Sequence, residues 1–195
     1  MSSHHIVRED QEPALVIADA HAISFEKVQE LLEWMPTIVV LGDQLETVLQ
    51  WGIKIDIVFV PANEITGWTS RLADQTPVKI ISFRPGEEAL VCALQFLATT
   101  QAKAANCLIK TTAAITLIES FPQFDVEVFC EEVRWSWVKN GRLDKWYETN
   151  TQLFLFPDDL ILEQPEFAFG KYLVANDGII QLRSRESFWI GEKLN

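Results

Sequence analysis

The chain is short of positive charge, of cysteine and histidine, and of long apolar runs. Its 16 Lys and Arg face 28 Asp and Glu, a net charge of −12. That balance excludes a nucleic-acid surface, because phosphate contacts need clustered basic side chains. The deficit is uneven: residues 1–132 hold 19 acidic against 8 basic side chains (−11), and residues 133–195 hold 9 against 8 (−1). A polyphosphate would find little electrostatic help in the first part. Three cysteines, Cys92, Cys107 and Cys130, include no CxxC spacing and cannot all pair within one chain. They predict reduced, buried thiols and a cytoplasmic location. No stretch approaches the length that spans a bilayer, and residues 1–11 are polar, without a signal-peptide core. No membrane partner is expected. His4 and His5 fall in a predicted tail and read as solvated rather than metal-ligating.

What the chain has in quantity is apolar and aromatic. With 195 residues, 48% of them hydrophobic, including seven Trp and twelve Phe, it can bury the core of one large domain or two small ones. Leu15-Val16-Ile17-Ala18 reads as a buried strand, and Ser24 as the N-cap of an amphipathic helix carrying Phe25, Val28, Leu31, Leu32 and Met35 up to Pro36. Thr37–Leu41 is a second strand. Asp43 and Glu46 then give the charged analogue of a capping box for a helix ended by Gly52. Ile55–Val60, closed by Pro61, and Val78–Phe83 are further strands. Pro85-Gly86 precedes a helix with Leu90, Ala93, Leu94 and Leu97 on one face. Cys107–Lys110 and Val126–Cys130 complete the series. Strands alternating with helices mean a mostly parallel sheet covered on both faces.

After Glu132 the pattern changes to short alternating or aromatic runs at Arg134–Val138, Gln152–Phe156, Ile179–Leu182 and Phe188–Ile190. Turn signals such as Asn140-Gly141 and Asn176-Asp177-Gly178 separate them. The expected fold is therefore α/β over residues 1–132, followed by a small antiparallel β-sandwich-like domain over residues 133–195.

Four stretches fall where a nucleotide-and-metal enzyme on such a sheet keeps its carboxylates and glycine turns: Gly42-Asp43, Val60-Pro61-Ala62-Asn63, Gly86-Glu87-Glu88-Ala89 and Lys110–Ala114. Hard divalent ions need closely placed oxygen ligands. Asp43, Glu87 and Glu88 are the carboxylates at hand, against a reading in which the two glutamates simply favour a helix start. His21 follows the first strand but has no spaced nucleophile or carboxylate, and reads as a loop residue. Glu131-Glu132 is a solvated strand end or a cation site. Trp135 and Trp137 share one strand face and, with Trp146-Tyr147, form core, an interface or a platform for an aromatic ligand.

Several stretches, in order, resemble a known family. They are Met1–Ala18 with its Ser-Ser-His-His-Ile-Val-Arg start, Leu31-Leu-Glu-Trp34, Val39-Val-Leu41, Leu45–Leu49, Gly52–Asp56, Lys145-Trp146-Tyr147, Asn150-Thr151 and the Asp177-Gly178 turn. The chain resembles the thiamin pyrophosphokinases over nearly its whole length, in framework rather than in motifs. The resemblance implies an α/β catalytic-type domain, a β-rich thiamin-binding-type domain and a homodimer. It also implies transfer of pyrophosphate from ATP to thiamin with Mg²⁺ held by carboxylates.

The family's Gly-Asp-Phe-Asp signature falls on Val60-Pro61-Ala62-Asn63, its Asp-Gly turn on Gly42-Asp43, and its Asp-x-Thr-Asp helix start on Gly86–Ala89. Its Gly-rich Arg-x-Asp-His segment has no counterpart at Lys110–Ala114. The Ser-Asn pair that helps hold thiamin falls on Lys171-Tyr172. With Pro61, Asn63, Gly86 and Ala89 at catalytic positions, no catalytic residue, metal or cofactor is expected. The resulting expectation is a catalytically degraded homologue that binds a thiamin-like ligand or an active paralogue. An active enzyme using ATP and Mg²⁺ through relocated carboxylates, with Asp43, Glu87, Glu88, Lys171 and Tyr172 as binding residues, is the alternative.

Overall fold

A computed structural model describes residues 12–100, 102–163 and 171–194. The chain divides into two compact units, one ending at Val126 and the other starting at Glu127.

In the first unit five parallel strands, β1 (Ala14–Ile17), β2 (Ile38–Leu41), β3 (Ile57–Pro61), β4 (Lys79–Phe83) and β5 (Ala104–Leu108), lie in the order β5-β1-β2-β3-β4. Four helices connect them: α1 (Phe25–Leu32), α2 (Leu45–Gln50), α3 (Ile65–Arg71) and α4 (Ala89–Thr99), with α5 (Ile115–Ile118) after β5. The chain steps one way from β1 to β4 and then crosses back past β1 to β5. Right-handed crossovers therefore place α4 on the face opposite α1, α2 and α3. Strands covered on both sides need unbroken apolar runs. Leu15, Val16, Ile17, Val39, Val40, Val58 and Val60 are accordingly all fully buried.

Ser24 caps α1 as expected, its Oγ accepting from the Lys27 amide at 3.3 Å. Met35 does not continue the helical face. The helix stops at Leu32, and Met35 turns out at φ +52 with 88% of its surface exposed. Pro36 keeps Met35 out of the right-handed helical region, so the helix could not have continued through it. The capping box at α2 does not form either: Asp43 Oδ2 accepts from Gln44 Nε2 at 2.9 Å, and Glu46 pairs with Arg71. Helix α3 went unread because Thr66, Gly67 and Thr69 are weak helix formers. Burial of Trp68, whose Nε1 donates to Glu64 at 3.2 Å, holds it instead.

The second unit is antiparallel. Strand β6 (Asp125–Cys130), which straddles the division, pairs with β7 (Val133–Val138) through Glu127↔Ser136 to Cys130↔Val133. The division falls inside β6, the strand that also opens the antiparallel hairpin. β7 is followed by β8 (Arg142–Tyr147), β9 (Gln152–Phe156), β10 (Lys171–Leu173), β11 (Gly178–Arg183) and β12 (Phe188–Lys193). One layer runs β10-β9-β12-β7-β6, and β8 pairs with β11 in the other. Between the layers lie Val138, Leu153, Leu155, Phe188 and Ile190 against Tyr147 and Leu182. Strand β8 escaped the sequence reading because its inward positions include Lys145, which reaches Glu192 in a half-buried ion pair.

Trp135 and Trp137 pack within this unit. The Trp137 ring stacks on Trp189 at 5.6 Å and 4°, and Trp135 meets Phe154 and Phe156. Gly191 makes this possible: a Cβ there would stand 2.8 Å from Val133 Cγ1 and 3.0 Å from the Trp135 ring. Trp146 is half exposed beside its cross-strand partner Ile179. Glu131 and Glu132 form the tight turn between β6 and β7, at φ +53 and +59. Both left-handed residues suit the twist of a two-residue hairpin.

Candidate functional site

In an open α/β sheet the ligand crevice lies outside the carboxyl ends of the strands, where the strand order reverses. Here that point lies between β1 and β5. A cavity of about 500 Å³ opens there, lined by Ala18 after β1, by Leu41 at the end of β2 with Gly42 and Asp43 after it, and by Pro61 at the end of β3 with Glu64 beyond it. Phe83 of β4, Glu87 to Leu90 at the start of α4, and Ile109, Lys110 and Thr111 after β5 complete most of the wall. The four stretches singled out in the sequence therefore meet at one place.

Local chemistry explains each piece of the rim. Gly42 is needed because a Cβ there would sit 3.1 Å from the Phe59 carbonyl oxygen and 3.2 Å from Val60 Cγ1. With a side chain there, the β3 exit would have to give way by a few tenths of an ångström. Gln44 fixes the β1 exit, its Oε1 accepting from the Ala20 amide at 2.9 Å while its Nε2 holds Asp43. Pro61 ends β3 opposite Phe83 and brings no N–H to the rim. Gly86 turns at φ +87, and the Glu87 carboxylate accepts from the Arg84 amide at 2.6 Å, closing the turn before α4. Glu88 is the N-cap of α4 but makes no side-chain capping bond.

Four carboxylates, Asp43, Glu64, Glu87 and Glu88, and one ammonium, Lys110, thus line the cavity over an apolar floor that includes Phe83, Leu90 and Ile109. Three of the carboxylates already serve a neighbour: Asp43 the Gln44 amide, Glu64 the Trp68 indole and Glu87 the Arg84 backbone. Among the described residues no three His, Cys, Asp or Glu side chains gather closely enough to hold a metal ion. A Mg²⁺-nucleotide takes only one or two protein carboxylates but also backbone donors for its phosphates; here Asp43, Glu64 and Glu87 are engaged by the chain's own groups and Pro61 offers no N–H, so this donor set fits one poorly.

The other candidates lie elsewhere. Lys171 and Tyr172 are on β10 in the second unit, Lys171 over the Phe154 ring at 5.5 Å. His21 is an exposed turn residue whose own amide donates to Asp19 Oδ1 at 3.0 Å. Glu131 and Glu132 are in the hairpin turn, where Lys193 Nζ donates to the Glu131 carbonyl at 3.0 Å. His4 and His5 fall outside the described residues. Glu64 and Phe83 went unread as site residues. Glu64 lies three residues past the Pro61 strand end, one turn into the loop, and that spacing is the signal that could have found it. The thiols take no part: burial pushes Cys107 up to about 12, and burial, then the Glu87 charge, raises Cys92.

No helix among the described residues is long and apolar enough to cross a membrane. No protein-family model matches the chain, and no curated protein matches it in sequence. Solved structures do match. The two-unit α/β and antiparallel architecture is that of thiamin pyrophosphokinases. The thiamin pyrophosphokinase of Candida albicans superposes with a TM-score of 0.64 at 10% identity, over 97% of this chain and 91% of that one. The Bacillus subtilis thiamine pyrophosphokinase gives 0.62 at 11% identity, over 82% and 88%. A probable thiamine pyrophosphokinase from Staphylococcus saprophyticus gives 0.62 at 8% identity, over 94% and 99%. At such identities the likeness is one of fold.

Proposed function

We propose that this chain is a thiamin pyrophosphokinase-like protein that has given up pyrophosphoryl transfer and binds a small ligand in its strand-end cavity. The observation that carries the reading is the state of the rim. Pro61, Asn63, Gly86 and Ala89 stand at the positions the resemblance assigns to catalytic carboxylates. Three of the carboxylates that remain are engaged by neighbouring groups of the same chain. Phosphoryl-group transfer relies on metal and electrostatic clamping of the phosphates, and an acidic rim whose carboxylates are mostly engaged within the chain offers a polyphosphate little of either.

In this reading the protein is cytoplasmic and homodimeric and takes no ATP or Mg²⁺. Its partners are a thiamin-like ligand or an active relative; Lys171 and Tyr172, which the resemblance assigns to thiamin, lie on β10 and do not line the cavity. Calorimetric titration tests it: ATP-Mg²⁺ should give no heat of binding at millimolar concentration, with or without thiamin. Saturable ATP-Mg²⁺ binding would remove its basis.

One observation favours a second reading. Asp43, Glu87 and Glu88 do line the same cavity, so relocated carboxylates supporting an active thiamin pyrophosphokinase is the alternative. In that case the double variant Glu87→Ala, Glu88→Ala loses turnover while keeping its fold.

A further inference from the structure

We draw no further inference here: the strongest candidate, the aromatic face of the five-stranded layer on which the Trp135 and Trp137 indole N–H groups lie buried without a hydrogen-bond partner among the described residues, carries nothing, because both groups are closed off from solvent and nothing in the structure shows what covers that face.

Discussion

Replacing Gly141 with alanine should destabilise the second unit severely for so small a change. The residue follows β7 at φ +67, donates from its amide to the Val138 carbonyl at 3.3 Å, and accepts from the Ser184 amide at 2.8 Å. A Cβ at this position points at the backbone carbonyls of Ser184 and Glu186, standing 2.8 Å from the Glu186 oxygen. Neither carbonyl is the end of a flexible side chain, so the turn between β11 and β12 must move. The left-handed backbone costs an L-residue about 1–2 kcal/mol, and overpacking adds about 1–3 kcal/mol, giving a total of about 2–5 kcal/mol. With a urea m-value of about 2 kcal/mol/M, the unfolding midpoint should drop by about 1–2.5 M. Near-UV circular dichroism is the suitable signal, because the stacked pair Trp137 and Trp189 reports this unit specifically. Gly178→Ala is the control: nothing lies within 4 Å of its Cβ, and the midpoint should barely change. A Gly141→Ala shift no larger than the control's would refute the close approach on which the reasoning depends.

Other substitutions probe other joints. The double variant Glu131→Asn, Glu132→Gly places the preferred residues in a turn now held at φ +53 and +59, and thermal melts should show it about 1 kcal/mol more stable. Gln44→Ala orphans the Ala20 amide, in a residue only 4% exposed; chemical denaturation should register a loss of about 1–3 kcal/mol. Tyr147 is 3% exposed, and its hydroxyl is raised well above the ordinary value of 10.0, first by burial and then by the Glu192 charge. A raised folded-state value favours the neutral phenol in the native state. Its contribution is complete below pH 10 and is lost above it as the unfolded chain ionises. Stability measured from pH 8 to 11.5 should fall at the alkaline end, and less steeply in Tyr147→Phe.

The parallel half was legible wherever burial dictated composition. Strands such as Leu15–Ile17 and Val39–Leu41 are apolar on both sides, and the face Leu90, Ala93, Leu94, Leu97 has no reading but a helix. Elements held by single tertiary contacts were not legible. Helix α3 depends on Trp68, and β8 carries Lys145 inward only because Glu192 waits across the sheet. Periodicity cannot show either partner. The same limit governed the site. Position in the strand series brought Asp43, Pro61, Glu87, Glu88 and Lys110 to notice, and they do line one cavity. That Glu87 closes its own turn and Asp43 holds Gln44 depends on rotamers and turn geometry, which spacing does not carry. The capping box drawn between Asp43 and Glu46 failed for that reason: Glu46 had a better partner in Arg71, 25 residues away.

The most direct test of the central claim is a single-turnover assay with the purified full-length chain in excess over labelled ATP, in the presence of Mg²⁺ and saturating thiamin. The account predicts no AMP and no thiamin diphosphate above the protein-free control after hours of incubation; stoichiometric AMP with matching thiamin diphosphate would contradict it and restore a working pyrophosphokinase.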